Sequence, residues 1–329
     1  MKRLVNNPED IVEELIEGYT KAFDDVKVSE LSGRVVARKN IDKDKVGIII
    51  GGGSGHEPLF LGYVGEGFAD ACVIGHINTS PDPYAVYNAI KEVGSNKGVL
   101  LMYGNYTGDV LNFDMAQDMA IAEGYKVKSI QVTDDVVSAD EKDGRRGIAG
   151  DIFVMKIAAS AADLGYEFDE VYEVAQKAND LTASMGVALG AADDPRTGHE
   201  MFNLEQGQME IGMGIHGEPG VRRGKIETLN EVVDEITDPL IKELDLKEND
   251  EVGVLINGLG ATPYMDLFVM NKKLSEILEE KKIKVNRTFI GTCASTMNMP
   301  GQSITLIKLD EELKKLLNHP CDAPYFKIK

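Results

Sequence analysis

Continuous apolar runs that end in glycine or a polar turn recur along this chain, and helix-like segments follow them. "KVGIIIGGG", "DACVIGHI", "GVLLMYGNYTGD" and "YKVKSIQVTDD" read as successive strands. "PDPYAVYNAIKEV" and "NFDMAQDMAIAEG" stand between them as helices. Apolar runs without alternation fit strands covered on both faces, and strands separated by helices fit a mostly parallel sheet. The first helix reads "NNPEDIVEELIEGYTKAF". Asn7 can cap it, Pro8 suits its first position, and Ile11, Leu15, Ile16 and Tyr19 share one face. Two long helices, "AGDIFVMKIAASAADLG" and "FDEVYEVAQKANDLTASMG", close this half.

A chain of 329 residues exceeds one ordinary core. The stretch "AADDPRTGHE", residues 191 to 200, reads as a linker, and a smaller unit follows it. There "QMEIGMGIHGEPG" precedes the helix "TLNEVVDEITDPLIKEL" and the strand "NDEVGVLINGLGATP". A helix through "YMDLFVMNKKLSEILEE" leads to "KVNRTFIGTCAS" and "QSITLIKL". The fold expected is two α/β domains, 1–190 and 191–329, each a mostly parallel or mixed sheet flanked by helices.

Charge narrows the function classes. With 35 Lys and Arg against 55 Asp and Glu, the formal net charge is -20. Such a chain offers no basic surface to displace counterions, so a nucleic-acid partner is not expected. No apolar stretch reaches membrane-spanning length, and "MKRLVNNPED" has no apolar run after its charges. Cys72, Cys293 and Cys321 are widely spaced and form no zinc or disulfide pattern. A cytoplasmic protein without a metal site is expected.

The loops carry the chemistry. In "IIIGGGSGHEP" no lysine completes a Walker loop, and His56 stands where a dinucleotide fingerprint needs its third glycine. The loop is therefore a poor phosphate cradle; a tight turn whose histidine caps a backbone group is the plainer reading. A second glycine-flanked histidine, His216, lies in "GIHGEP", again just before Glu-Pro. Glycines leave an imidazole open to a small ligand, and neutral imidazole is a nucleophile near pH 7. His76, His199 and His319 lack such a setting and are read as structural or solvent-facing. Asp109, in "GNYTGDVLNF" after a strand, is either a helix cap or a base for a substrate hydroxyl. "NGLGATP" could position a ligand but is read as a turn, and Arg145 and Arg146 in "DGRRGIAG" are read as a charged surface turn, with a partner or phosphate contact as the lesser alternative.

Together "GGGSGHEP", "NYTGDVLNF", "GRRGIAG", "GIHGEPG", "NGLGATP" and "STMNMPGQSITLIKLD" resemble, in order and over nearly the whole chain, the dihydroxyacetone-binding subunit of dihydroxyacetone kinase. The resemblance implies a ketone bound covalently as a hemiaminal on His216. It makes Asp109 the base that activates the hydroxyl to be phosphorylated and His56 a hydrogen-bonding assistant. Gly53 and Ser80 match substrate-contacting positions. Gly104 stands where the family usually has a lysine before "NYTGD", and it is taken as a substrate-pocket position. The resemblance further implies no cofactor on this chain. Mg-ADP/ATP would sit on a separate helical kinase subunit recharged by a phosphoenolpyruvate-dependent phosphotransferase system. It also implies a homodimer. The alternative is a non-catalytic paralogue that senses dihydroxyacetone and coactivates a transcription regulator.

Overall fold

A computed structural model describes residues 4–329, which divide into two compact bodies. The first body comprises Leu4–Val132, Ile152–Ala178 and Lys315–Lys329; the second comprises Thr133–Asp151 and Asn179–Lys314.

The first body opens with α1 (Ile11–Ala22), entered through a single 3-10 turn, Pro8–Asp10, that Asn7 caps by accepting from the Glu9 N–H. Strands β1 (Val26–Val28), β2 (Val35–Arg38), β3 (Gly47–Ser54) and β4 (Ala71–Ile77) follow. Helix α2 (Pro83–Val93), strand β5 (Val99–Gly104), helix α3 (Thr107–Ala122) and strand β6 (Val127–Val132) come next, and then α4 (Asp151–Asp163) and α5 (Phe168–Asp180). The sheet order is β1-β2-β4-β3-β5-β6. The four strands from β4 to β6 are parallel, and β2 and β1 add an antiparallel margin. Ile48, Ile49 and Ile50 have no exposure, as expected for a strand covered on both faces.

The second body holds β7 (Thr182–Ala188), β8 (Gln208–Ile211) and β9 (Arg222–Lys225), then α6 (Leu229–Glu243), β10 (Glu251–Gly258), α7 (Tyr264–Glu280), β11 (Lys284–Gly291) and β12 (Gly301–Leu309). Its sheet runs β11-β10-β12-β7-β8-β9 and is mixed: only β10 and β11 are parallel. Val232, Val233, Ile236 and Leu240 of α6 pack with Leu267, Met270 and Leu274 of α7 against this sheet. After α8 (Glu311–Leu317), the hairpin of β13 (Cys321–Ala323) and β14 (Phe326–Ile328) returns to the first body. The buried Lys156 ammonium fastens that return, donating to the carbonyls of His319 at 2.9 Å and Gly67 at 3.3 Å.

Two α/β bodies with mixed sheets and flanking helices match the expected fold class. The division of the chain differs from the expected cut at 190. The helix read through "LTASMG" stops at Asp180, and Thr182–Ala188 is a fully buried strand bonded to β12. Ala, Leu and Met carry good helix propensity, so the segment looked helical, but pairing with β12 on one side and β8 on the other overrides it. β7 thereby belongs to the second sheet and Thr133–Asp151 to the second body, while Lys315–Lys329 belongs to the first body. The short strands β1, β2, β13 and β14 carry too few residues to show a period, and sequence reading missed them.

Asp70 shows what holds the first sheet. Its fully buried carboxylate accepts from the Ile48 N–H at 3.0 Å, from Arg38 at 3.1 Å and pairs with Lys45 at 3.2 Å. Removing one partner of such a cluster strands the others. Asp70→Ala should lower the unfolding free energy of the first body by about 3–5 kcal/mol, read from a urea titration. A loss below about 1 kcal/mol would contradict this account.

Candidate functional site

The first body gathers the glycine-loop residues at the carboxyl edge of its parallel strands, where ligands of open α/β sheets bind. β3 runs out into Gly51, Gly52, Gly53 and Ser54. A side chain at Gly53 would put its Cβ 2.8 Å from the Thr79 N and 3.2 Å from the Asn78 Cα, so backbone packs on backbone there. The 78–81 turn is also held by the Asn78 N–H donating to the Ser54 carbonyl at 2.9 Å. Ser80, at the end of this turn, is 3.4 Å through its Cβ from where a Cβ at Gly108 would stand. Asn112 of α3 donates to the Pro81 carbonyl at 2.9 Å. Gly53, Ser80 and the start of α3 are thus one cluster.

Asp109 lies in the first turn of α3 and is only 8% exposed. It is not the cap: that place is Tyr106, whose side chain makes no cap bond. The first turn of a helix favours negative charge. Phe113, one turn on, stacks on Tyr103 of β5 with ring centroids 4.2 Å apart, which fixes the helix on the sheet. Burial, with the nearby Asp114 and Asp109 carboxylates, pushes the Tyr103 hydroxyl up to about 12. Gly104 ends β5, and its carbonyl accepts from the Tyr106 N–H at 2.8 Å. His56 is 2% exposed in the turn after β3. The next residue, Glu57, uses its carboxylate to accept from the Gly55 N–H at 3.0 Å, while burial pushes that carboxyl up.

The second body carries His216 in the loop between β8 and β9. The side chain is 23% exposed. Its Nδ1 lies 3.1 Å from Glu218 Oε1, and its backbone N–H donates to Glu218 Oε2 at 3.0 Å. Burial works to raise the Glu218 carboxyl, but the hydrogen bond and charge of His216, helped by Arg146, hold it at about 2. Arg146 Nη1 is 3.7 Å from Glu218 Oε2, and its Nη2 pairs with Asp135 at 2.8 Å. Burial pushes Asp135 up to about 6 against the pull of Arg146. Next to it, Asp134 is fully buried and accepts from the Ile148 and Gly150 N–H groups at 2.8 and 2.7 Å. The Thr296 hydroxyl donates to the Ile215 carbonyl at 2.8 Å, so the "STMNMPG" segment braces the histidine loop.

Several readings of the sequence change here. Arg145 and Arg146 are not a surface turn. Arg145 is 8% exposed and pairs with Glu243 at 2.7 Å, while Arg146 reaches Glu218. Sequence reading missed Glu218 as a functional candidate and gave Arg146 only a lesser reading as a partner or phosphate contact. The signal was the Glu-Pro that follows both histidines, which the sequence displays without saying where the carboxylate goes. His319 pairs with Asp163 at 2.7 Å, and His76 lies 3.2 Å from Arg34, as structural roles require. "NGLGATP" is a turn, with the Gly301 N–H donating to Thr262 at 3.0 Å. A cavity of about 290 Å³ beside His319, Cys321 and Lys327 touches none of these candidate residues. Among the described residues no three or more His, Cys, Asp or Glu side chains are grouped to hold a metal ion, and no helix is long and apolar enough to cross a membrane.

A two-body α/β chain with these glycine, histidine and carboxylate loops defines a class, and the chain belongs to the Dak1 domain family, whose pattern matches residues 17–325. It is 52% identical over 330 residues, covering 100% of both chains, to the PTS-dependent dihydroxyacetone kinase 2, dihydroxyacetone-binding subunit DhaK of Listeria innocua serovar 6a. The crystal structure of the dihydroxyacetone kinase of C. freundii superposes with a TM-score of 0.90 at 32% identity, over 99% of this chain and 60% of that longer one. The dihydroxyacetone kinase operon co-activator Dha-DhaQ superposes equally well, at TM-score 0.90 and 30% identity, over 96% of this chain and 98% of that one.

The Gly53 packing makes a direct prediction. Gly53→Ala should shift the amide resonances of Thr79 and Ser80 and lower the melting temperature by about 2–8 °C, corresponding to roughly 1–2 kcal/mol of strain. Unmoved Thr79 and Ser80 resonances would contradict the close approach.

Proposed function

We propose that this chain is the dihydroxyacetone-binding subunit of a phosphoenolpyruvate-dependent dihydroxyacetone kinase, a phosphotransferase. The observation that carries the reading is the end-to-end match at 52% identity to a relative named as that subunit. His216 adds to the ketone carbonyl and holds the substrate as a hemiaminal. A ring nitrogen of histidine, unlike a lysine amine, cannot go on to an imine, so the adduct stops there. Selection against glycerol then follows from reactivity, because glycerol has no carbonyl; an apolar pocket would separate such small polyols poorly. Covalent capture also fixes the terminal hydroxyl for transfer. Asp109 takes the proton from that hydroxyl, His56 assists by hydrogen bonding, and Gly53, Ser80 and Gly104 line the substrate pocket.

The phosphoryl group comes from a separate helical subunit holding Mg-ADP/ATP, recharged by a phosphotransferase system, and this chain binds no cofactor or metal of its own. It works as a cytoplasmic homodimer without nucleic-acid or membrane partners. The second reading is a sensor that coactivates a transcription regulator. It draws on the equal superposition with the co-activator and on Gly104 in place of the family's lysine.

Incubation with dihydroxyacetone, borohydride trapping if needed, and peptide mass mapping should place an adduct on His216; His216→Ala should lose it while keeping its circular dichroism. An adduct on His56 alone would overturn the assignment. With the partner subunit, Asp109→Asn should still form adduct but lose on the order of 10²–10⁴-fold in transfer rate. Transfer at the wild-type rate would remove Asp109 from catalysis. No transfer by wild type with any cognate partner, together with ketone-dependent affinity for a regulator, would favour the sensor. Calorimetry with Mg-ATP on this chain alone should show no saturable micromolar binding.

A further inference from the structure

Resting on the reading of His216 as the covalent site, we infer that Glu218 is a positioning residue that fixes the tautomer of His216: it takes the Nδ1–H as its hydrogen-bond donor and so leaves the lone pair on Nε2, the nitrogen that attacks the ketone. The geometry has three parts. Oε1 of Glu218 is 3.1 Å from Nδ1, and Oε2 accepts the backbone N–H of the same histidine at 3.0 Å. One carboxylate thus grips both the ring and the main chain of His216. Arg146 stands 3.7 Å behind Oε2 and is itself held by Asp135 at 2.8 Å and by the Gly212 carbonyl at 3.3 Å. Gly214 completes the arrangement, since a Cβ there would collide with both Glu218 Oε2 and Arg146 Nη1. A Cβ at Gly214 would push the carboxylate and the guanidinium out of the space they fill.

The carboxylate is ionised across the working pH range, so it can only accept. The hydrogen bond made by one imidazole nitrogen decides which nitrogen keeps the lone pair. In the addition, the Nε2 lone pair forms the N–C bond and the carbonyl π pair moves to oxygen. The ring becomes an imidazolium whose Nδ1–H faces Glu218, as a buried carboxylate stabilises an imidazolium in a hydrolase triad. The Nδ1 proton then leaves and the alkoxide gains one, so the net change is addition of N–H across C=O with no further reactant.

The test uses the full-length protein with 15N-labelled histidine. Before any ketone is added, the His216 ring of wild type should show Nδ1 protonated and Nε2 bare. Glu218→Gln, whose amide can also donate, should shift the ring toward the Nε2–H tautomer and slow adduct formation on the order of 100-fold. Glu218→Asp, still a carboxylate, should keep the wild-type tautomer and recover part of the rate. A wild-type ring protonated at Nε2, or a Glu218→Gln ring unchanged from wild type, would overturn the inference. Slow adduct formation with the tautomer unchanged would also overturn it, because Glu218 would then only brace the loop. Failure of wild type to form any adduct on His216 would instead sink the covalent reading, which the ligand-free spectra do not depend on.

Discussion

Backbone packed directly on backbone at the end of β3 is the constraint on which the edge of the first sheet depends. Gly53 lies against Thr79 and Asn78 at a distance no side chain would allow. That contact sets the 78–81 turn, the turn presents Ser80 to the start of α3, and Asn112 ties α3 back to Pro81. Asp109 is therefore placed by a chain of contacts that begins with an absent side chain. The stacking of Phe113 on Tyr103 holds the next turn of the same helix.

The second body holds its histidine loop by charge. Asp134 ties down two backbone N–H groups, and beside it Asp135 holds Arg146. Arg146 steadies Glu218, and Glu218 grips His216. Asp70 plays the part of Asp134 in the first body, accepting from Ile48 while two cations neutralise it. Buried carboxylates of this kind contribute little net stability by themselves, since desolvation offsets the attraction. Their value is directional: each oxygen has assigned donors, and a loop so held has few alternative arrangements.

Carboxylates of an acidic chain ordinarily form a solvated coat. The carboxylates beside the candidate residues are the exceptions. Asp109 is buried at a helix start, Asp135 is pushed up to about 6, and Glu218 is held at about 2. Burial acts on both acids: helped by Asp134 it outweighs Arg146 at Asp135, whereas at Glu218 the imidazole and the guanidinium outweigh it. Environment, not residue type, sets these acids apart.

The sequence by itself determined the two-body α/β class, most helices, the parallel strands and the loops that carry His56, Asp109 and His216. Those features are written in local terms: unbroken apolar runs, a Pro8 start, glycines beside a histidine. It did not determine that Thr182–Ala188 is a strand, because only β12 and β8 alongside make it one. Nor did it reveal that the chain weaves between bodies, since the return of Lys315–Lys329 has no local mark. Asp109 was legible as a carboxylate near a helix start, but its position inside the first turn was not, because helix ends depend on which backbone groups find partners. Arg146 and Glu218 were the largest loss. They are 72 residues apart, and their meeting beside His216 is decided by a long-range charge contact that spacing along a chain cannot encode.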